Sequence, residues 1–235
     1  MQELRRRASA APGCRRSTRC RRRRITLACR LLVIGQILNG KYRLLRLVGE
    51  GGMGAVYEAQ HVDTGRRVAV KVIHRELIND AILTRFAREA RAAGAIETQH
   101  IAEVIDAGNE AETGTPYLVM EYLEGEDLQH LLDRVGPLSP DLALRIAAQA
   151  CVGLAKAHEA SVVHRDIKPG NIFLARREEG EIVVKIVDFG IAKIKAAQLG
   201  QGEGTGLTRT GTIVGTPLYM SPEQARGLRD IDHRT

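Results

Sequence analysis

Residues 41–73 read KYRLLRLVGEGGMGAVYEAQHVDTGRRVAVKVI, and the use made of the glycines in this stretch decides the fold. The spacing Gly49-x-Gly51-x-x-Gly54 would have to open a helix in a dinucleotide-binding fold. Here it leads instead into AVYEAQHV, a strand-like run, then an Asp63-Thr64-Gly65 turn, then a second strand-like run, RRVAVKVI. No Lys-Ser/Thr pair follows the last glycine, so the stretch is not a P-loop either. A Gly-rich hairpin remains. Its tip is either an ordinary flexible turn or a backbone bare enough to lie close over phosphates.

In VAVKVI, alternation places Ala69 and Lys71 on one face and Val68, Val70 and Val72 on the other. A lysine on the small-residue face, following a Gly-rich hairpin, suits a nucleotide; the alternative is an edge lysine in solvent. A buried lysine needs an acid. Glu89 is the candidate, three residues after Phe86 and four before Ala93 on a helix expected over 79–96. Spacing leaves open the alternative of a surface pair with Arg85.

Two further strands, IAEVIDAG and PYLVMEYL, precede a helix starting in EGEDLQHLLDRVG. A longer helix follows, capped near Ser139 and led by Pro140. Residues 163–173, VHRDIKPGNIF, then set His, Arg, Asp, Lys and Asn around a Pro-Gly pair that breaks regular structure. EIVVKIVDFG reads as an alternating strand ending in an acid, and residues 191–220 as a long Gly/Thr-rich loop. Strands first and helices after predict an α+β chain in two lobes.

The 235 residues suffice for one large domain or two small ones, with 44% apolar and 27% charged residues as in soluble globular proteins. Aromatics at 3% and the lack of Trp argue against a base-stacking surface. The formal charge of +7 is unevenly placed: residues 1–30 hold eleven arginines and one acid, Glu3, so the remainder is slightly acidic. A basic domain surface for nucleic acid is not indicated. Residues 1–33 read as an Arg-rich disordered leader or an over-extended start of translation. Arg30 interrupts the apolar run there, against a signal peptide. Cysteines 14, 20, 29 and 151 match no zinc pattern or disulfide framework, which fits a reducing cytoplasm, and Cys151 reads as a small core residue. There is no apolar run of about 18 residues for a membrane helix.

GEGGMGAVY, VAVK, RFAREA, HRDIKPGN, DFG and GTPLYMSPEQARG occur in that order. Together they resemble the eukaryotic-like (Hanks-type) serine/threonine protein kinases of bacteria, over about residues 40–235. The resemblance implies a two-lobe protein-kinase-like fold: a small β-rich N-lobe over about 41–120, a hinge over about 121–127 and a helical C-lobe from about 128. It implies ATP and Mg2+ as cofactors and protein serine or threonine hydroxyls as substrates. Asp166 would receive the hydroxyl proton and Lys168 would meet the transferring phosphoryl group. Asn171 and Asp188 would hold magnesium, and Lys71 would pair with the α/β-phosphates and Glu89. Gly49, Gly51 and Gly54 would cover the phosphates, and Val56 and Ala69 would line the base pocket with Met120 behind. The backbone of Glu121 and Leu123 would bond the adenine, and Asp127 would reach the ribose. His164 and Phe189 look like packing residues.

By the same resemblance residues 191–220 form an activation loop, with Thr208 and Thr210 as paired phosphorylation sites and Arg165 as their counter-charge. Phosphorylation in trans implies a kinase homodimer, and the localisation expected is cytoplasmic. The chain stops at RDIDHRT, before later helices that the family uses, so an incomplete C-lobe is expected and Glu223 would lack its arginine partner. An inactive module that binds nucleotide or a partner, and nucleic-acid binding through the Arg-rich tail, are the alternatives.

Overall fold

The computed structural model describes residues 34–51, 54–74, 77–177, 180–189, 217–226, 228 and 231–234, with the side chains of 80–82, 85 and 89 outside that description. The chain divides into two units, Met1–Arg30 and Leu31–Thr235. Every described residue belongs to the second; the Arg-rich segment lies outside the described residues.

Six strands form one antiparallel sheet: β1 (Ile37–Leu38), β2 (Tyr42–Gly51), β3 (Gly54–His61), β4 (Arg67–Ile73), β5 (Val104–Asn109) and β6 (Pro116–Glu121), in the order β1-β2-β3-β4-β6-β5. The Gly-rich stretch is thus a β2–β3 hairpin, and Gly65, at φ +70°, supplies the left-handed residue of the next turn. The sheet's two edges are tied by side chains. Asn39 Nδ2 donates to the Asn109 carbonyl at 2.8 Å, and Tyr42 hydroxyl donates to Asp106 at 2.9 Å. Val68, Val70 and Val72 enter one core with Tyr57, Tyr117 and Val119.

Helix α1 (Asp80–Gly94) buries Phe86, Ala90 and Ala93. A three-stranded sheet, β7 (Gly125–Asp127), β8 (Ile172–Arg176) and β9 (Ile182–Ile186), carries the second lobe with α2 (Leu128–Val135) and α3 (Pro140–Glu159). Ser139 caps α3 by accepting from the Leu142 N–H, with Pro140 in the first turn. A short helix, α4 (Pro222–Ala225), follows a 3-10 turn at Pro217–Tyr219.

Three sequence expectations change. Ile101, expected inside a strand, instead makes an isolated parallel bridge to Ile186. β9 does not alternate: Val183, Val184, Lys185 and Ile186 are all buried. α3 packs Ile146, Ala150 and Ala157 against Val184 and Ile186 on one face, while Lys185 is buried by Glu121 and the Ile101 carbonyl. Cys151 is exposed, not core. The inward face of α3 runs through Ile146, Ala150, Gly153 and Ala157, and residue 151 is turned about 100° from Ala150.

Candidate active site

β4 lies between β3 and β6, so Lys71 is central and not at an edge. It is 7% exposed, and its Nζ lies 2.7 Å from Asp188 Oδ1. Asp188 follows β9 with φ +65°, a left-handed conformation that costs a non-glycine residue about 1–3 kcal/mol. Its neighbour Phe189 is buried and meets the His164 ring edge-on at 4.7 Å. His164 Nε2–H donates to the Val187 carbonyl at 2.9 Å, and Nδ1 accepts from the Asp166 N–H at 3.2 Å. The His164 pair thus ties the loop at 164–171 to the segment at 187–189.

Burial pushes the His164 imidazole below its usual 6.5. Below about that pH the unfolded chain takes up a proton that the folded chain resists. His164 therefore lowers stability as pH falls from 6.5 toward its folded value. Denaturant unfolding at pH 7.5 and 5.5 should show the difference, and His164→Gln should lessen it.

Within the loop, Asp166 Oδ2 accepts from Lys168 Nζ at 2.8 Å and from Asn171 Nδ2 at 3.2 Å. The same Asn171 nitrogen donates to the Asp166 carbonyl at 2.7 Å. Pro169–Asn171 form a single 3-10 turn, and the Asn171 carbonyl accepts from Val187 N–H at 3.0 Å. Asp166, Lys168 and Asn171 thus form one bonded set and Lys71 and Asp188 another, and the Val187–Asn171 backbone bond ties the two segments together. Arg165 stands at φ +68°, and its buried Nε has no hydrogen-bond partner among the described residues.

Val56 pairs with Lys71 across β3–β4, and Ala69 with Met120 across β4–β6. A small cleft is lined in part by Phe86, Ala90, Leu118, Met120, Asp188 and Phe189. The Glu121 N–H already donates to the Glu103 carbonyl at 3.0 Å. That atom is not available to a ligand.

Two residues carry roles that the resemblance does not supply. Asp127 caps α2: its carboxylate accepts from the His130 N–H at 3.0 Å and pairs with the His130 ring. Gly54 is required for packing, because a Cβ there would lie 2.0 Å from the Val72 carbonyl oxygen. A Cβ on Gly49 or Gly51 would meet nothing within 4 Å. Glu89 lies on α1, with its side chain outside the described residues, as are Thr208 and Thr210. Glu223 has no ion pair among the described residues; its carboxyl is held below the usual range by its own backbone N–H and the Ser221 hydroxyl.

Three charged or polar residues escaped the sequence reading. Lys185 Nζ lies 2.6 Å from Glu121 Oε1, holding the end of β6 to β9. A lysine inside the apolar run EIVVKIV was the available signal, since it needs an acid once buried. Glu58 on β3 is 7% exposed, clasped by Arg46 at 2.6 Å and Arg67 at 3.0 Å, and Arg67 lies over the Tyr122 ring at 4.3 Å. Gln224 Nε2 donates to the Arg165 carbonyl at 2.7 Å, and nothing local in the sequence signalled it.

An antiparallel sheet with one packed helix, a linking segment, and a second lobe carrying HRD-type and DFG-type segments is the architecture of the two-lobe kinases. The chain belongs to the protein kinase domain family, whose sequence profile matches residues 42–232. It is 42% identical over 203 residues to the serine/threonine-protein kinase pkn3 of Myxococcus xanthus, covering 86% of this chain and 36% of that protein. It is 38% identical over 197 residues to the serine/threonine-protein kinase PrkC of Bacillus subtilis, covering 83% of this chain and 28% of that protein. The crystal structure of the Mycobacterium tuberculosis PknI kinase domain superposes with a TM-score of 0.59 at 33% identity, over 68% of this chain and 64% of that one. The chain thus spans well under half the length of these curated relatives.

Proposed function

We propose that this chain transfers the γ-phosphoryl group of ATP to serine and threonine hydroxyls of proteins. One observation carries the reading: two carboxylates, Asp166 and Asp188, each stand within 2.8 Å of a lysine, Lys168 and Lys71, at one lobe junction. Phosphoryl transfer asks a protein for positioning and for neutralisation of oxygen charge, and lysines and carboxylates so placed supply both.

The residues fit ATP and magnesium. Open space beside Gly49 and Gly51 leaves the hairpin accessible to phosphates, and Val56, Ala69 and Met120 offer an apolar slot to a base. The Glu121 carbonyl and the Leu123 backbone would hold the base edge; Asp127, engaged in its cap, is a weaker partner for the ribose. Asn171 turns its Nδ2 to Asp166, which leaves Oδ1, with Asp188, as oxygen ligands for a hard cation. When bound, ATP supplies the transferable group and magnesium neutralises its oxygens. Lys71 holds phosphate oxygens, with Glu89 on α1 as its second acid. Asp166 Oδ2 is taken by Lys168 and Asn171, so Oδ1 receives the hydroxyl proton.

The same reading makes Thr208 and Thr210 sites of autophosphorylation between two copies of the chain. The buried Arg165 Nε, unpartnered among the described residues, supports it, because such a donor costs about 1–3 kcal/mol until an acceptor such as a phosphate reaches it. Protein substrates are the partners. Among the described residues no helix is long and apolar enough to cross a membrane.

Intact-mass analysis after incubation with Mg-ATP tests the proposal. Phosphate-sized mass steps on the chain, absent from Asp166→Asn, are expected. A soluble chain that binds ATP yet gains no mass and modifies no protein substrate would overturn it.

A further inference from the structure

We infer that Gln224 is a positioning residue for Asp166, acting through the peptide group that joins Arg165 to Asp166. This inference rests on the phosphoryl-transfer reading for its kinetic consequence, but its geometry stands independently. That peptide plane is held at both ends. Its N–H, on Asp166, donates to His164 Nδ1 at 3.2 Å, inside the loop. Its carbonyl, on Arg165, accepts from Gln224 Nε2 at 2.7 Å, from an element 59 residues further along the chain.

The clamp is needed because of the backbone at Arg165. A φ of +68° is unfavourable for a residue with a Cβ, and the loop would relax from it if unopposed. Such a relaxation rotates the peptide plane that carries the Asp166 Cα. A carboxylate lies about 3 Å from its Cα, so a tilt of roughly 20° moves its oxygens by about 1 Å, a displacement that can cost about 100-fold in rate.

Gln224 suits the task because its own side chain is fixed. Its Oε1 accepts from the Ser221 N–H at 3.0 Å, while Ser221 Oγ accepts from the Gln224 N–H at 3.2 Å. The bond from the Ser221 backbone N–H, which any residue at 221 except proline can make, orients the amide so that Nε2 has one direction left to point, while the Ser221 hydroxyl only caps α4. Glutamine is the side chain that fits: the acceptor serves α4 and the donor serves the loop. Glutamate keeps the length and the acceptor but removes the donor and sets an anion against a carbonyl oxygen.

The test compares Gln224→Glu with Ser221→Ala in the full chain. Gln224→Glu is expected to lower kcat by roughly 10–100-fold while KM for ATP changes by less than about 3-fold. Ser221→Ala weakens the cap of α4 and should lower thermal stability with kcat within about 3-fold. In Gln224→Glu, protonation of the introduced carboxylate restores a donor, so the ratio of variant to wild-type kcat should rise as pH falls from about 8 to about 5.5. A purely structural role would leave that ratio flat. Hydrogen–deuterium exchange over residues 163–171 gives a readout without turnover: Gln224→Glu should speed exchange at the Asp166 amide at least about 10-fold, and Ser221→Ala should not. Unchanged exchange and unchanged kcat in Gln224→Glu would overturn the inference, as would equal effects from both variants. An exchange difference between Gln224→Glu and wild type, in a chain that shows no phosphoryl transfer, supports the clamp and refutes the proposed activity.

Discussion

Lys71→Met is expected to reduce kcat/KM for ATP by roughly 10³-fold, because it removes the buried cation that pairs with Asp188 and that the proposed function assigns to the phosphates. Methionine matches the length and apolar stem of lysine, so the pocket stays filled and the loss is one of charge. Removing one partner of a fully buried pair costs about 3–5 kcal/mol. Asp188 is about one third exposed, so water takes over part of the lost attraction and the stability cost falls to about 1–2 kcal/mol. Melting should therefore shift by only a few degrees while activity disappears. Steady-state kinetics beside a thermal melt separates the two. Adding Asp188→Asn to Lys71→Met should cost less stability than the two changes summed, since the double variant leaves no unpaired carboxylate. Activity above a tenth of wild type in Lys71→Met would remove Lys71 from the mechanism.

Gly125→Ala is expected to be among the most destabilising single substitutions in the second lobe, at about 3 kcal/mol or more. Two independent barriers add. The backbone sits at φ +139°, which residues with a Cβ rarely adopt, and the new Cβ would lie 2.0 Å from the Leu174 carbonyl oxygen. Gly125 pairs with Ala175 where β7 joins β8, so the clash cannot be relieved without opening that ladder. A urea titration should show a lower midpoint with little change in slope. For comparison, Gly49→Ala meets nothing within 4 Å and should leave the midpoint nearly unchanged. Equal midpoints for Gly125→Ala and wild type would mean that β7 is not held as described.

Much of this was legible along the chain. The strand-turn-strand reading of residues 41–73 needed only alternation and the Asp-Thr-Gly turn, both local signals, and the sheet contains both hairpins. The start of α3 was readable from Ser139 and Pro140 for the same reason. β7 was not, because three residues carry no periodicity and their glycine looked like a helix leader. Cys151 was misplaced because residues 143–157 are so rich in small and apolar side chains that the sequence pattern does not say which stripe faces inward.

The ordered set of motifs along the chain was enough to point to the kinase family: a bare hairpin, a lysine on a strand, an acid-lysine-amide loop and a second acid. Those features depend on neighbours two to five positions away, where backbone periodicity places side chains in known directions. The pairings that aim these groups came only with the folded chain. Lys71 meets Asp188 across 117 residues, Lys185 meets Glu121 across 64, and Gln224 reaches Arg165 across 59. No local propensity encodes such contacts, because they depend on how two lobes and their loops pack. Burial then makes each pairing matter, since a charge or amide taken from water must find a partner wherever the fold supplies one.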